Sequence, residues 1–323
     1  MTPPLSRRTP ASERPPVQKQ QMALATDSPQ QPPSPSGGDV ACGVAGWSYP
    51  DWNGFVYPAG VKDRLRYVAF YVDVIEINMS FYRPPSAQTA ASWEKRTRDL
   101  PGFFFTAKLH QDITHGGRLD RDIIDALKRG LEPLATAGRL RHLLAQFRYD
   151  FSVSPEACEH LRRIHAAFSD MANIVFEFRH SSWQSRDALD ELAGMGATVA
   201  ALDYPAGRSS FTADAPANGR PAYFRLHGRN KSAWYSRDAG RDDTYNYLYD
   251  EREIAGIVAR ARRIRAASSS LTIIANNHYQ GKELVNALQI MAAWRGSSVR
   301  VPPLLAEKYP SLLSCGVIES PPD

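Results

Sequence analysis

Carboxylate, amide and cationic side chains recur at a spacing of two within short apolar runs of the sequence. Glu76 and Asn78 lie in one such run, and Glu177 and Arg179 lie in another. Because successive side chains along a β-strand point to opposite faces, the two members of each pair share a face. Two carboxylates that face one pocket can act as general acid and general base when their surroundings separate their pKa values. Glu76 and Glu177 are therefore the first candidates for catalysis.

The same spacing recurs near the carboxyl ends of other apolar runs. The polar residues at these ends that are predicted to face the same way are Lys108, His110, Asp203, Arg225, His227 and Asn276. Burying one unpaired charge costs several kcal/mol, so this many charged residues in one layer indicates a functional site. We predict catalytic roles for Lys108, Asp203 and His227 together with the two glutamates.

The types of the remaining residues indicate how a substrate is bound. Lys108, Arg179 and Arg225 would supply positive charge for a phosphate or carboxylate group, and His110 shares their face. Amides suited to the recognition of hydroxyl groups are present at Asn78, Asn276 and Asn277. The leading hypothesis is an acid/base enzyme (a hydrolase, isomerase or lyase) acting on a small anionic or sugar-like substrate.

Three alternatives compete with this hypothesis. In the first, the charges are structural ion pairs, with Glu76 bound to Lys108 and Glu177 bound to Arg179. The second is a metal-dependent phosphodiesterase or endonuclease acting on nucleic acid, whose candidate ligands for a divalent metal are Glu76, Glu177, Asp203, His110 and His227. The net charge of +5 is compatible with nucleic acid but does not establish it, and the interspersed cations disfavour a metal cluster. The third is a non-catalytic ligand-binding protein. The sequence itself requires no cofactor.

An alternation of strand-like and helix-like segments must position these residues. Eight apolar runs with strand character are found at 40–47, 74–78, 103–110, 143–147, 174–179, 198–203, 222–228 and 271–277. Helix-like stretches fill most of the gaps, at 62–72, 86–100, 121–140, 155–168, 185–195, 250–267 and 281–294. This order predicts an α/β fold consisting of a single TIM-type (β/α)8 barrel, in which the active site lies at the carboxyl ends of the strands. The sixth connection, 204–221, is predicted to be a loop rather than a helix.

Composition divides the chain into a barrel domain and two flanking segments. The barrel is predicted to occupy residues 39–296. Residues 1–38 are rich in Pro, Ser and Gln and are predicted to be a disordered tail, because they cannot bury enough apolar surface to offset the entropy of ordering. Residues 297–323 are weakly patterned and are predicted to be a weakly ordered extension.

The overall composition is that of a globular protein. The chain has 323 residues, of which 43% are hydrophobic. It has no apolar run of about 18 residues, so we predict no membrane span. Its three cysteines are far apart in the sequence, which fits a reducing compartment and predicts a cytoplasmic location. The sequence specifies no oligomeric state.

Six segments together resemble the YecE-like family, domain of unknown function 72. In chain order they are GVAGWSYPDWNGFVYP (43–58), IEINMSFYRPP (75–85), FTAKLHQDITH (105–115), FEFRHSSW (176–183), AYFRLHGR (222–229) and IIANNHYQGKELVNA (273–287). The resemblance spans roughly residues 40–295 and implies a TIM barrel, in agreement with the strand count. It implies a site but no particular chemistry.

The resemblance also marks residues near the turns that follow the strands. Besides the residues given above, those expected to bind substrate are Trp47, Tyr49, Tyr82 and His180. Aromatic side chains at such turns could stack on a sugar ring or a base. Many relatives carry Ser or Thr before the Gly-Trp pair where this chain has Ala45, so the finer substrate contacts are left open.

Overall fold

The main sheet of this protein is parallel and forms a nearly closed barrel. The computed structural model describes residue 1 and residues 40–214, 219–236 and 238–322. Within that part of the chain the strands are β1 (Val40–Val44), β2 (Val74–Ile77), β3 (Phe104–Lys108), β4 (Leu140–Gln146), β5 (Asn173–Glu177), β6 (Thr198–Val199), β7 (Ala201–Asp203), β8 (Pro221–Leu226), β9 (Ser270–Ala275), β10 (Val299–Val301) and β11 (Gly316–Ile318). Strands β1 to β9 follow the order β6-β5-β4-β3-β2-β1-β9-β8-β7. Only Ala200 separates β6 from β7, so these two pieces of one strand bring the edges of the sheet together.

Helices follow most of the strands, as the alternation in the sequence predicts. In the described residues they are α1 (Arg64–Ala69), α2 (Ala87–Thr97), α3 (Gln111–Thr114), α4 (Arg121–Thr136), α5 (Pro155–Phe168), α6 (Arg186–Met195), α7 (Lys231–Trp234), α8 (Arg241–Thr244), α9 (Glu251–Ala266), α10 (Lys282–Arg295) and α11 (Pro303–Lys308). Short 3-10 helices span Pro50–Trp52, Met79–Phe81, Ser181–Gln184, Tyr279–Gly281 and Pro310–Ser314. The α/β fold and its TIM-type barrel are confirmed. Among these helices none is long and apolar enough to cross a membrane.

Local sequence sets where several helices begin. The Ser154 side chain accepts a hydrogen bond from the amide of Ala157, and the proline that follows Ser154 occupies a first-turn position that needs no N–H. At the start of α9, Asp250 and Glu253 form a reciprocal capping box. These caps define the point at which the chain leaves each βα loop.

The alternation along β2 separates the core from the barrel interior. Ile75 and Ile77 are fully buried and belong to the hydrophobic core. Glu76 is also fully buried, but it forms hydrogen bonds with side chains of β8. In the sheet, β1 and β9 lie between β2 and β8. Glu76 therefore points into the barrel, and its neighbours Ile75 and Ile77 point to the other face.

The sixth connection differs from the others. Between β7 and β8 the described residues, 204–214 and 219–220, contain no helix, which agrees with the predicted loop. A cavity of about 330 Å³ lies near this seam, between α6 and the strands β6 and β8. Arg186, Arg220 and Asp214 are among its lining residues.

The carboxyl-terminal segment has more regular structure than the sequence predicts. Residues 297–323 were expected to form a weakly ordered extension, but they contain β10, α11 and β11, and β10 pairs with β11. Val301, Leu305 and Leu312 are almost completely buried, and this burial fixes a segment whose short apolar runs show no clear periodicity. The tail predicted at 1–38 lies outside the described residues, apart from residue 1.

Candidate active site

Arg225 joins the two glutamates that the sequence singled out. Its Nη2 donates to Glu76 Oε1 at 2.6 Å, and its Nη1 donates to Glu177 Oε2 at 2.6 Å. All three side chains are fully buried inside the barrel. Glu76 accepts a further hydrogen bond from the hydroxyl of Tyr223, at 2.9 Å. The strands β2, β5 and β8 are thus tied together by one ion-paired group.

This arrangement changes the expected roles of Arg225 and Glu177. Arg225 was expected to bind a substrate anion, but both of its terminal nitrogens are already bound to carboxylates and its side chain has no exposed surface. Burial alone would raise the pKa of Glu177, but the charges of Arg225 and Arg179 outweigh it and hold the pKa well below its usual range. Glu177 therefore stays ionised near neutral pH.

Arg179 continues the charged group toward the barrel mouth. Its Nη2 donates to Glu177 Oε1 at 2.5 Å, which confirms the predicted ion pair of these two residues. Its Nη1 is buried and has no hydrogen-bond partner among the described residues, and the side chain as a whole is 10% exposed. A buried guanidinium nitrogen without a partner is unfavourable unless a ligand or water completes it.

His227 is held in one neutral form by its two neighbours. Its Nε2 lies 3.0 Å from Arg179 Nη2, and its Nδ1 lies 3.0 Å from the side-chain amide of Asn276. A guanidinium can only donate, so Nε2 accepts and the ring proton is on Nδ1. The structure has the Asn276 nitrogen against Nδ1, so this tautomer requires the amide to be flipped so that its oxygen faces the ring. Burial, followed by the charge of Arg179, lowers the pKa of His227 to about 3.

Three aromatic side chains enclose Arg179 and His227 at the mouth. The guanidinium carbon of Arg179 lies 4.7 Å from the ring centroid of Tyr204 and 5.4 Å from that of Trp234. Tyr245 lies 6.1 Å from Trp234 and 6.4 Å from His227, measured between ring centroids. These rings form what we call the aromatic wall, defined as Tyr204, Trp234 and Tyr245. They come from the connections after β7 and β8, and the sequence motifs did not single them out.

A glycine allows the chain to turn from β8 into the segment that carries most of this wall. Gly228 has a positive φ of 83°, and a Cβ at this position would lie 2.7 Å from the Cβ of Tyr247. Its amide donates to the hydroxyl of Tyr249 at 3.0 Å. Any larger residue would displace the loop that contributes Trp234 and Tyr245.

Lys108 stands apart from the ion pairs of the site. Its Nζ donates to Gln146 Oε1 at 2.8 Å, and no carboxylate of the described residues lies within 4.0 Å of it. The predicted ion pair of Lys108 with Glu76 is therefore wrong, because Arg225 reaches Glu76 from across the barrel. Burial, followed by the charge of Arg225, lowers the pKa of Lys108 to about 8.

Asp203 is bound to a partner outside the mouth. Both of its carboxylate oxygens accept from Arg229, at 2.8 and 2.7 Å, and one also accepts from the hydroxyl of Tyr249 at 2.8 Å. Its side chain is 9% exposed. The structure gives Asp203 the contacts of a structural ion pair instead of those expected for a catalytic carboxylate.

Asn277 also differs from the expectation. Its amide nitrogen donates to the backbone of Tyr247 at 2.7 Å and to Asn286 at 2.8 Å, and the residue has no exposed surface. Asn277 therefore connects the end of β9 to α10 and to the loop behind the aromatic wall. The side chain of its neighbour Asn276 faces the opposite way, toward His227, as period-two alternation requires.

His110 and His180 both begin short helices. His110 Nδ1 accepts from the amide of Asp112, and its Nε2 lies 3.0 Å from the backbone oxygen of Tyr82. His180 Nδ1 accepts from the amide of Ser182 at 3.2 Å. His110 has both ring nitrogens engaged, so its contacts are those of a residue that shapes the rim. Tyr82 itself is 64% exposed at that rim.

Trp47 and Tyr49 lie in the turn after β1, and Asn78 directly follows β2. The Asn78 amide nitrogen donates to the backbone oxygen of Ala45 at 2.7 Å, and the Tyr49 hydroxyl binds the same oxygen. The Tyr49 ring stacks on His278, with centroids 4.5 Å apart. Trp47 packs edge-on against a tryptophan of α2, at 5.5 Å. Asn78 Oδ1 is buried and without a hydrogen-bond partner in the described part of the chain.

The residues present do not match the donor set of a metal site. Within the described ranges no three His, Cys, Asp or Glu side chains are close enough together to hold a metal ion. Of the five predicted ligands, Glu76, Glu177 and Asp203 are instead neutralised by arginines, and His110 has both nitrogens engaged. Cations next to a carboxylate oppose the binding of another cation, so we derive no step that uses a metal.

Comparison with known proteins gives consistent matches over this whole fold. A family model described as "Protein of unknown function DUF72" matches residues 41–309. The UPF0759 protein YunF of Bacillus subtilis (strain 168) is 25% identical over 269 residues, which cover 78% of this chain and 93% of that protein. A solved DUF72 family protein from Thermotoga maritima MSB8 is 29% identical with a TM-score of 0.70, over 79% of this chain and 99% of the other. One from Enterococcus faecalis V583 is 23% identical with a TM-score of 0.70, over 79% and 95% of the two chains.

Proposed function

The chain belongs to the DUF72 family of proteins of unknown function, and we propose that its barrel mouth is the active site of an acid/base enzyme for a small anionic or sugar-like substrate. The observation that carries this proposal is a guanidinium nitrogen without a hydrogen-bond partner and a lysine without an ion-pair partner in the described part of the chain, both near the carboxyl ends of strands. Arg179 Nη1 has no hydrogen-bond partner among the described residues, and Lys108 has only the neutral Gln146. Active sites of TIM-type barrels lie at this end of the sheet.

Arg179 is the group proposed to hold the substrate anion. Its Nη2 is fixed by Glu177, which orients the planar guanidinium and leaves Nη1 for a phosphate or carboxylate oxygen. The rings of Tyr204 and Trp234 flank it, and its side chain is only 10% exposed. A charge-assisted hydrogen bond in such a dry site is stronger than one at the surface.

Lys108 is the group proposed to transfer a proton. With a pKa of about 8, both its ammonium and its amine forms are present near neutral pH, so it can act as acid or as base. Glu177 cannot share this work, because its depressed pKa keeps it ionised. The two glutamates were expected to act as an acid/base pair. We instead assign Glu76, Arg225 and Glu177 the role of fixing the position and the charge of Arg179.

A ligand screen by thermal shift tests the proposal. Phosphorylated sugars and nucleotides are added to the wild-type chain and to the variant Arg179→Gln at low and high salt. We expect at least one of these anions to raise the Tm of the wild type and to lose this effect in the variant. A matched control is Arg162→Gln, since Arg162 also pairs with glutamates but lies on the outer helix α5 with 50% exposure.

The variant Lys108→Gln separates catalysis from simple binding. If the mouth is an active site, this variant retains the thermal shift with a bound anion and loses turnover by about 10²-fold or more, the usual contribution of a general acid or base. Unchanged turnover in Lys108→Gln would contradict the role of Lys108. A bound anion that undergoes no reaction with the wild-type chain would favour a non-catalytic ligand-binding barrel.

A further inference from the structure

Lys108 has the surroundings of a nucleophilic amine. It lies at the end of β3, partly buried, with its Nζ 5.7 Å from the ring centroid of Phe81. The two glutamates of the barrel interior, Glu76 and Glu177, are both bound to Arg225 and form no ion pair with Lys108, although their charges partly oppose the lowering of its pKa. A lysine that is desolvated beside another cation is one of the means by which proteins activate an amine for attack on carbonyl groups.

The lowered pKa increases the fraction of neutral amine. With a pKa of about 8, about a quarter of Lys108 would be neutral at a pH of about 7.5, against about 0.1% for an ordinary lysine. Lys62 and Lys95 are exposed, and Lys128 and Lys308 form ion pairs with carboxylates. Lys282 is the nearest competitor, because burial lowers its pKa as well and it is bound to Asn246.

We propose that Lys108 forms an imine with the carbonyl group of an anionic substrate, of the class of 2-oxo acids and phosphorylated aldoses or ketoses. This inference rests on the proposed function, because the substrate anion is held at Arg179 while its carbonyl carbon reaches Lys108. The charge of Arg179 contributes to the lowering of the Lys108 pKa, so the two cations lie near each other at the barrel mouth.

The step is balanced without an oxidant or a reductant. The ammonium of Lys108 first loses a proton, and the amine lone pair then forms a bond to the carbonyl carbon while the carbonyl π electrons move to oxygen. That oxygen takes up protons and leaves as water when the carbon–nitrogen double bond forms. Overall, the ammonium and the carbonyl compound give an iminium ion and one water. The positive nitrogen then withdraws electrons from the neighbouring carbon, which favours proton removal or carbon–carbon cleavage there.

Reductive trapping tests the imine. The full chain is incubated with pyruvate or glyceraldehyde 3-phosphate and sodium cyanoborohydride at pH of about 7.5, and modified lysines are mapped by peptide mass spectrometry. We expect at least about tenfold more reduced adduct at Lys108 than at Lys95, because a much larger fraction of Lys108 is neutral. Acetone, which has no anionic group, should label Lys108 much less than pyruvate does.

Variants make the outcome decisive. Lys108→Arg keeps the positive charge and should abolish the adduct, whereas Lys95→Arg should leave it unchanged. Adducts at Lys282 or spread over the surface lysines, with none at Lys108, would overturn the proposal. If anions still raise the Tm through Arg179 while no adduct forms at Lys108, the imine is wrong and the proposed function stands. If Arg179→Gln keeps the full adduct yield, the imine stands and the assigned role of Arg179 is wrong.

Discussion

Replacing Arg225 by Met should destabilise the fold more than any surface substitution. Arg225 has no exposed surface and forms two buried ion pairs, each with a nitrogen–oxygen distance of 2.6 Å. Removing one partner of a buried ion pair costs about 3–5 kcal/mol, because an uncompensated charge is left in the core. Glu177 would keep Arg179 as its partner, whereas Glu76 would keep only the hydroxyl of Tyr223. The expected loss is therefore about 3–5 kcal/mol and not twice that amount.

The pH dependence of this loss follows from Glu177. Its pKa is lower in the folded chain than in the unfolded chain, so its contribution to stability is present above the ordinary value of 4.5 and is lost as the pH falls below it. Without Arg225 the pKa of Glu177 is depressed less, so the variant has less of this contribution to lose. The difference in unfolding free energy between the wild type and Arg225→Met should thus stay nearly constant near neutral pH and shrink only as the pH falls through the folded-state pKa of Glu177 in the variant, below its ordinary value.

Urea unfolding followed by circular dichroism measures both effects. The control is Arg162→Met, which removes two ion pairs of a half-exposed arginine and should cost less than about 1 kcal/mol. The second variant, Arg225→Met combined with Glu76→Gln, removes the uncompensated charge and should recover part of the loss. A loss below about 1 kcal/mol for Arg225→Met would refute the interpretation of Arg225 as the buried partner of two ionised glutamates.

Three other residues of the mouth and its surroundings give separate expectations. His227 has a pKa of about 3, so the NMR signals of its ring protons should not change with pH between a pH of about 8 and about 5. A titration midpoint of these signals near the ordinary pKa of 6.5 would contradict the burial of His227 in its neutral form. Trp234→Ala removes the aromatic ring that packs against Arg179 and should raise the Kd of an anionic ligand roughly tenfold, as measured by calorimetry. An unchanged Kd would exclude Trp234 from the site. Asp203→Asn should lower the unfolding free energy by about 1–3 kcal/mol and leave anion binding unaltered. Loss of binding at normal stability would instead place Asp203 in the site.

The spacing of polar residues predicted which side chains enter the barrel but not how they pair. Period two along β2 correctly assigned Glu76 to the interior, because its neighbours Ile75 and Ile77 lie in the core. The partner of Glu76 was misjudged, since Lys108 lies on the adjacent strand whereas Arg225 lies on β8 across the barrel. Contacts across a closed barrel depend on its diameter and on the register of strands far apart in sequence, and neither can be read from local alternation.

The individual residues of the aromatic wall and the pairing of Asp203 with Arg229 were missed for a related reason, although the Tyr-rich segment 229–249 was expected to cap the barrel mouth. Trp234 and Tyr245 lie in a long connection without strand or heptad periodicity, and their positions depend on how that connection folds over the mouth. A high density of tyrosine after β8 was the one available signal. Asp203 ends its strand as a catalytic residue would, but Arg229 comes from the next βα loop and neutralises it. Strand-end position alone therefore does not separate catalytic from structural carboxylates.

A crystal structure with a bound phosphorylated sugar or inorganic phosphate tests the central claim most directly. We expect an anion oxygen within hydrogen-bonding distance of Arg179 Nη1, between Tyr204 and Trp234, with the rest of the ligand directed toward Lys108. An empty mouth, with the anion bound instead in the cavity lined by Arg186 and Arg220, would contradict it.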